Sequence, residues 1–167
     1  MDLVVKHLTQ AEQPNAHIQY GITQILRSLI ASGGDSFIPI IVKHNNVLEA
    51  LVRLAKGELT PETKQEEEET EEAPKEKDRR VEYEATRIIV RITDKAENCE
   101  EIVKLGGVGP LVELVKSQYE ILQAEGVKGI HNIVKAGIKV EEAKEAVKNV
   151  KTTNEELAKL VNEILSQ

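Results

Sequence analysis

The sequence predicts an all-α fold, a right-handed helical solenoid (an α-α superhelix) of about three to four units. Three observations predict it. Aliphatic residues recur at three- and four-residue steps in each apolar run, the spacing of one helix face. The runs recur with a period near forty residues. The chain of 167 residues holds one Phe, three Tyr and no Trp, so its core must be Leu, Ile, Val and Ala, which suits helices packed on helices. No segment shows the alternation of a half-buried strand.

Taken in order, Leu3–Leu8 reads as a second helix of a unit whose first helix is missing. The chain is therefore expected to be a fragment of a longer solenoid, from near its C-terminus, spanning residues 1–167 as one repeat domain. Ile18, Ile22, Ile25, Leu26, Leu29 and Ile30 then mark a long helix, broken at Ser32-Gly33-Gly34-Asp35. Ser36–Lys43 and Val47–Ala55 follow, separated by Asn45-Asn46. Residues 57–79 read as an acidic, flexible insertion within one repeat, punctuated by Gly57, Pro61 and Pro74. Arg79–Thr93 resumes the helical spacing through Val81, Ala85, Ile88, Ile89 and Ile92. Next come Asn98–Lys104, a break at Gly106-Gly107, and Val108–Val115 with Pro110 in its first turn, where a missing N–H costs little. Glu120–Lys135 is the last long helix, ended by Ala136-Gly137. Thr153-Asn154-Glu155-Glu156 resembles a capping box ahead of Leu157–Leu165.

The repeat is the strongest signal. Val81, Ala85, Ile88, Ile89 and Ile92 align with Leu122, Gly126, Gly129, Ile130 and Ile133 at an offset of 41 residues. Ile18 aligns with Val81 at 63, and discounting about 22 residues for the insertion returns the same period. Each full unit has a short, a second and a longer third helix. One unit cannot bury its apolar face alone, whereas stacked units can.

The stretch Glu97–Ile133, ENCEEIVKLGGVGPLVELVKSQYEILQAEGVKGIHNI, resembles the armadillo repeat consensus. The likeness lies in its Gly-Gly break, its apolar-x-Pro-Leu-Val-x-Leu second helix and a third helix ending in Asn followed by an aliphatic residue. This resemblance implies a module that binds another protein along a groove lined by third helices. In that family an Asn near the end of the third helix holds the ligand backbone, with a Trp before it. Asn132 falls on the Asn position and His131 on the Trp position. The earlier units carry Arg91 and Val90, and Ser28 and Arg27, so the importin-type ladder is missing. One turn earlier on the same face stand Gln24, Arg87 and Lys128. With Arg87, Arg91, Lys128 and His131, the groove is expected to lean positive and to suit an acidic segment.

Composition narrows the alternatives. The net charge is −7, which argues against nucleic acid as a ligand. Ten acids against five bases in residues 57–80 carry −5 of it. The run Glu66, Glu67, Glu68, Glu69, Glu71 and Glu72 would attract a basic segment at long range, or simply act as a solubilising loop. Cys99 stands alone, so no internal disulfide forms and a reducing, cytoplasmic or nuclear, setting is the simplest. No apolar run reaches membrane-spanning length and no signal-peptide pattern opens the chain. His7, His17, His44 and His131 lack metal-ligand spacing. No phosphate-binding glycine loop, nucleophile elbow or cofactor motif is present, so no catalytic residue, cofactor or metal is assigned.

Two branches of the armadillo family show a finer resemblance. LVVKHLTQAEQP, HIQYGITQILRSLIAS, VLEALVRLAKG and the Glu97–Ile130 run resemble the C-terminal repeats of the small-GTPase GDP-dissociation stimulators of the SmgGDS type. That likeness implies a small GTPase as partner, with loss of GDP and chaperoning as the activity. Myosin chaperones of the UCS type also interrupt a unit with an acidic segment after a helix like ALVRLAKG. The first resemblance extends over a longer run. A scaffold or adaptor segment with no activity of its own is the remaining alternative.

Overall fold

The computed structural model describes residues 6–8, 15–33, 36–44, 46–59 and 79–167. Every regular element among them is helical. The order is α1 (Ala16–Gly33), α2 (Ile38–Lys43), α3 (Val47–Ala55), α4 (Arg80–Thr93), α5 (Ala96–Lys104), α6 (Val108–Val115), α7 (Glu120–Lys135), α8 (Glu141–Lys148) and α9 (Glu155–Leu165). Residues 6–8 are helical as well. The chain is an α solenoid. Its long helices α1, α4, α7 and α9 pack each on the next, with α3 against α4 and α6 against α7.

Aliphatic burial drives this stacking. Leu26 and Ile30 of α1, Leu51 and Leu54 of α3, and Ile88, Ile89 and Ile92 of α4 are essentially inaccessible. A second cluster joins Leu111 and Leu114 of α6, Ile130 and Ile133 of α7, and Leu157 and Ile164 of α9. Each such side chain contributes about 1.5–3 kcal/mol over its exposed state.

The breaks between helices follow backbone chemistry. After α5, Gly106 takes φ +83°, its N–H donates to Val103 O, and the N–H of Gly107 donates to Ile102 O. Gly137 does the same after α7, at φ +83°, donating to Val134 O while Ile138 N–H donates to Ile133 O. These are Schellman ends, whose left-handed residue is costly for any side chain with a Cβ. Between α2 and α3 the left-handed residue is Asn46, at φ 68°.

Several expectations shift in detail. Val47–Ala55, Val108–Val115 and Glu120–Lys135 match their predicted bounds. The first helix of the second unit is shorter than Ser36–Lys43, since Ser36 forms a 3₁₀ turn and Ile38 opens α2. The cap of α9 is Asn154, not Thr153. Asn154 Oδ1 accepts from the N–H groups of Glu156 and Leu157 at 3.0 and 3.1 Å, while Thr152 Oγ1 accepts from Asn154 N–H. The final pair departs from the three-helix plan: α8 lies on α6 and α9, and α9 lies on α7.

The acidic run Glu66–Glu72 and residues 60–78 around it lie outside the described residues, as do residues 3–5 of the first predicted helix. The ends of the acidic segment are anchored. Leu59 is buried, and its carbonyl accepts from Gln19 Nε2 at 2.8 Å. Arg79 pairs with Glu82 at 2.6 Å, reaches Glu113 at 3.5 Å and lies 5.2 Å from the Tyr83 ring centre.

Two sites test the packing. A Cβ on Gly126 would stand 2.7 Å from Val115 N and 2.8 Å from Leu111 O, both backbone atoms of α6. Gly126→Ala is expected to cost about 1–3 kcal/mol, read as a lower urea midpoint. Gly21→Ala, with nothing within 4 Å of its Cβ, is expected to raise that midpoint. A tolerated Gly126→Ala would contradict the α6–α7 contact. Cys99 is fully buried, and burial pushes its thiol pKa above the ordinary value. A disulfide reagent is therefore expected to label it far more slowly in the native protein than in urea. Equal rates would mean that α5 does not hold Cys99 inside.

Candidate functional site

The groove residues named from the sequence all lie on the third helices. Gln24, Arg27 and Ser28 are on α1, Arg87 and Arg91 on α4, and Lys128, His131 and Asn132 on α7. The repeat period places them in register, because helices one period apart present equivalent positions side by side.

Their charges are not free. Arg27 Nε is 2.8 Å from Glu84 Oε2 on α4, and Arg27 also donates to Gln24 Oε1 at 3.2 Å. Arg87 pairs with Glu84 at 3.1 Å within α4. It also grips Glu125 of α7 with Nε and Nη2, at 2.6 and 2.9 Å. This fork matches the planar guanidinium to both carboxylate oxygens. Hydrogen bonding to Glu125 holds the Arg87 pKa above its already high ordinary value, so the guanidinium stays charged. A continuous line, Gln24–Arg27–Glu84–Arg87–Glu125, thus crosses three stacked helices.

A second node is Asp94, at the C-cap of α4. It lies 3.3 Å from Arg91 Nη1 and 3.0 Å from Lys128 Nζ, and accepts from Asn132 Nδ2 at 3.0 Å. Asn132 Nδ2 also donates to Thr93 Oγ1 at 3.2 Å. Asn132 therefore bridges α7 to the end of α4. His131 is 9% exposed, and its Nε2 lies 2.7 Å from Glu163 on α9. The three forward contacts share one logic: Arg27 to Glu84, Arg87 to Glu125 and His131 to Glu163 each tie one long helix to the next. Ser28 is exposed on α1, apart from this network.

The expected positive groove is corrected by this geometry. Arg27, Arg87, Arg91 and Lys128 each face Glu84, Asp94 or Glu125, so the surface is alternating rather than basic. The acids were legible in the sequence. Glu84 and Glu125 recur at the same 41-residue offset as the basic residues. Reading only the cations on one helix face missed partners that neighbouring helices supply.

Among the described residues, no group of three or more His, Cys, Asp or Glu could hold a metal ion. No described helix is long and apolar enough to cross a membrane.

The comparisons with known proteins bear on the fold. No family model matches the chain, and no curated protein matches it. Solved structures do. A designed armadillo repeat protein, YIII(Dq)4CqI, aligns with a TM-score of 0.68 and 22% identity, covering 98% of this chain. An engineered protein aligns at 0.62 and 26% identity, covering 99%. A third, the designed armadillo repeat protein YIII(Dq.V1)4CPAF in complex with the peptide (KR)4, aligns at 0.61 and 22%, covering 96%. The chain spans 62% of the length of each of these three. The chain therefore has an armadillo-like repeat fold.

A double-mutant cycle on Arg87 and Glu125, read by urea unfolding, tests the central link of the ladder. The pair is partly shielded, with side chains 24% and 29% exposed. The expected coupling is about 1 kcal/mol, falling as salt is added. Additive single substitutions would show that the fork does not join α4 to α7.

Proposed function

We propose that the chain is a protein-interaction module that holds an extended segment of another protein along the exposed face of α1, α4 and α7. The observation that carries this reading is the ladder of guanidinium–carboxylate pairs and amides, in register over three stacked helices. Such a face offers a partner alternating donors and acceptors at regular spacing. Its mixed charge favours a polar, mixed-charge segment over a purely acidic one, since every cation already has a carboxylate beside it. A solved neighbour of the same fold, at 22% identity, is in complex with the peptide (KR)4. That supports peptide binding as a use of the fold and leaves the partner to the local side chains.

For the partner we propose a small GTPase, whose loss of GDP the chain promotes. The support is the resemblance of residues 3–32, 47–57 and 97–130 to that branch of armadillo proteins.

The experiment has two arms. Addition of the chain to a small GTPase loaded with fluorescent GDP is expected to speed nucleotide release several-fold. Independently, binding of the GTPase is measured by calorimetry with wild type and with an Arg87→Glu, Arg91→Glu, Lys128→Glu variant whose helical content is checked by circular dichroism. Binding is expected to fall at least tenfold in the folded variant. Unchanged affinity would place the site elsewhere. Absence of any effect on release would remove the exchange activity and leave the interaction module to be tested on other partners.

A further inference from the structure

The charges of the groove face do not balance everywhere. Along the line from α1 to α7 the count is even: Arg27 and Arg87 meet Glu84 and Glu125. Arg87 has no nitrogen to spare, since Nη1 faces Glu84 while Nε and Nη2 hold Glu125. The node at the end of α4 is different. There Arg91 of α4 and Lys128 of α7 share the single carboxylate of Asp94. Two cations on one anion leave a surplus of one positive charge.

Geometry turns that surplus outward. Asp94 Oδ1 accepts from Lys128 Nζ and Asn132 Nδ2, both at 3.0 Å, and Oδ2 lies 3.3 Å from Arg91 Nη1. Both oxygens are thus engaged. The Asp94 side chain is 26% exposed, against 49% for Arg91 and 41% for Lys128, so solvent meets the cations before the acid. Among the described residues Arg91 spends only Nη1, which leaves Nε and Nη2 as a fork for a second carboxylate. Lys128 gives one of its donors to Asp94 and keeps the others. Asp94 also holds the two cations together before any ligand arrives, which lowers the entropy that binding would cost.

We infer that Arg91 and Lys128 together form a subsite for one aspartate or glutamate side chain of a bound segment. This deepens the groove reading above and rests on it. A side chain fits better than a chain end. The face continues past the node on both sides, onto α1 through Arg27 and Glu84 and onto α9 through His131 and Glu163, so an extended segment passes through. A carboxylate also matches the charge. One negative unit cancels the surplus, whereas a phosphate monoester of about −1.5 to −2 would set excess anion beside Asp94.

Selection from a displayed library of random peptides tests this on the whole chain. Each peptide is fused through its C-terminus, so no free chain end is offered. Enriched peptides are expected to share an Asp or Glu at one position. In a synthetic copy with a blocked C-terminus, changing that acid to its amide is expected to weaken binding to the wild-type chain about fivefold. The same change is expected to have little effect on binding to an Arg91→Gln, Lys128→Gln variant of unchanged helical content. Asp94→Asn keeps the shape of the side chain and removes the internal competitor, so it is expected to tighten the acidic peptide several-fold. A node that only braces α4 against α7 would give no such gain, and its absence overturns the subsite. Binders with no shared acid, or with an acid indifferent to Arg91 and Lys128, overturn the subsite alone and leave the groove reading standing. A library that yields no binder overturns both. Tighter binding when phosphoserine replaces the acid overturns the carboxylate assignment.

Discussion

The architecture depends on one constraint: a third helix buries its aliphatic face only by stacking, against the long helices beside it and the second helix of its own unit. Ile88 and Ile92 are inaccessible because α4 has α1 on one side and α7 on the other. Everything else is positioned by that stacking. It sets the register that brings Arg87 to Glu125, and it demands the close crossing at which Gly126 meets the α6 backbone. What it offers is a long side-chain surface whose chemistry repeats with the helices.

Electrostatics then refines that surface. Exposed ion pairs add little stability on their own, because solvent screens them and long side chains lose freedom. Their larger effect here is orientation. Glu84 serves both Arg27 and Arg87, and Asp94 serves Arg91, Lys128 and Asn132. Shared carboxylates fix several donors at once, so less side-chain entropy is left for a bound segment to freeze. The same sharing sets a carboxylate beside each of these cations, and in the proposed binding role selectivity rests on spacing rather than on net charge.

The helices were legible because their apolar spacing is regular and their breaks are chemically marked. Gly106 and Gly137 announce left-handed ends, and the period ties Val81 to Leu122. The α9 cap was placed one residue early because Thr153 and Glu156 mimic a capping box while Asn154 makes the bonds. The site was half legible. Periodicity put Arg87, Arg91 and Lys128 on one face, but ion pairing between helices cannot be read along one helix. Burial does not follow the apolar spacing on α1: Ile18, Ile25 and Leu29 share a core pattern yet are exposed, while Gln19 and Thr23 are enclosed. Sequence periodicity reports what a position is suited to meet, and only the neighbours decide whether it meets it.

The anchoring of Leu59 by Gln19 and of Arg79 by Glu82 and Tyr83 has a consequence for how such a chain can diversify. Two fixed posts hold the solenoid side of the junction, so the stack receives the chain at the same points whatever lies between them. The entropy of closing a loop between fixed ends grows only logarithmically, by about 0.6 kcal/mol for each doubling of length. The junction is therefore a permissive insertion point: the intervening residues can lengthen, shorten or change in composition at little thermodynamic cost. Variation can accumulate at this edge of the repeat array while the helices behind it remain constrained by packing.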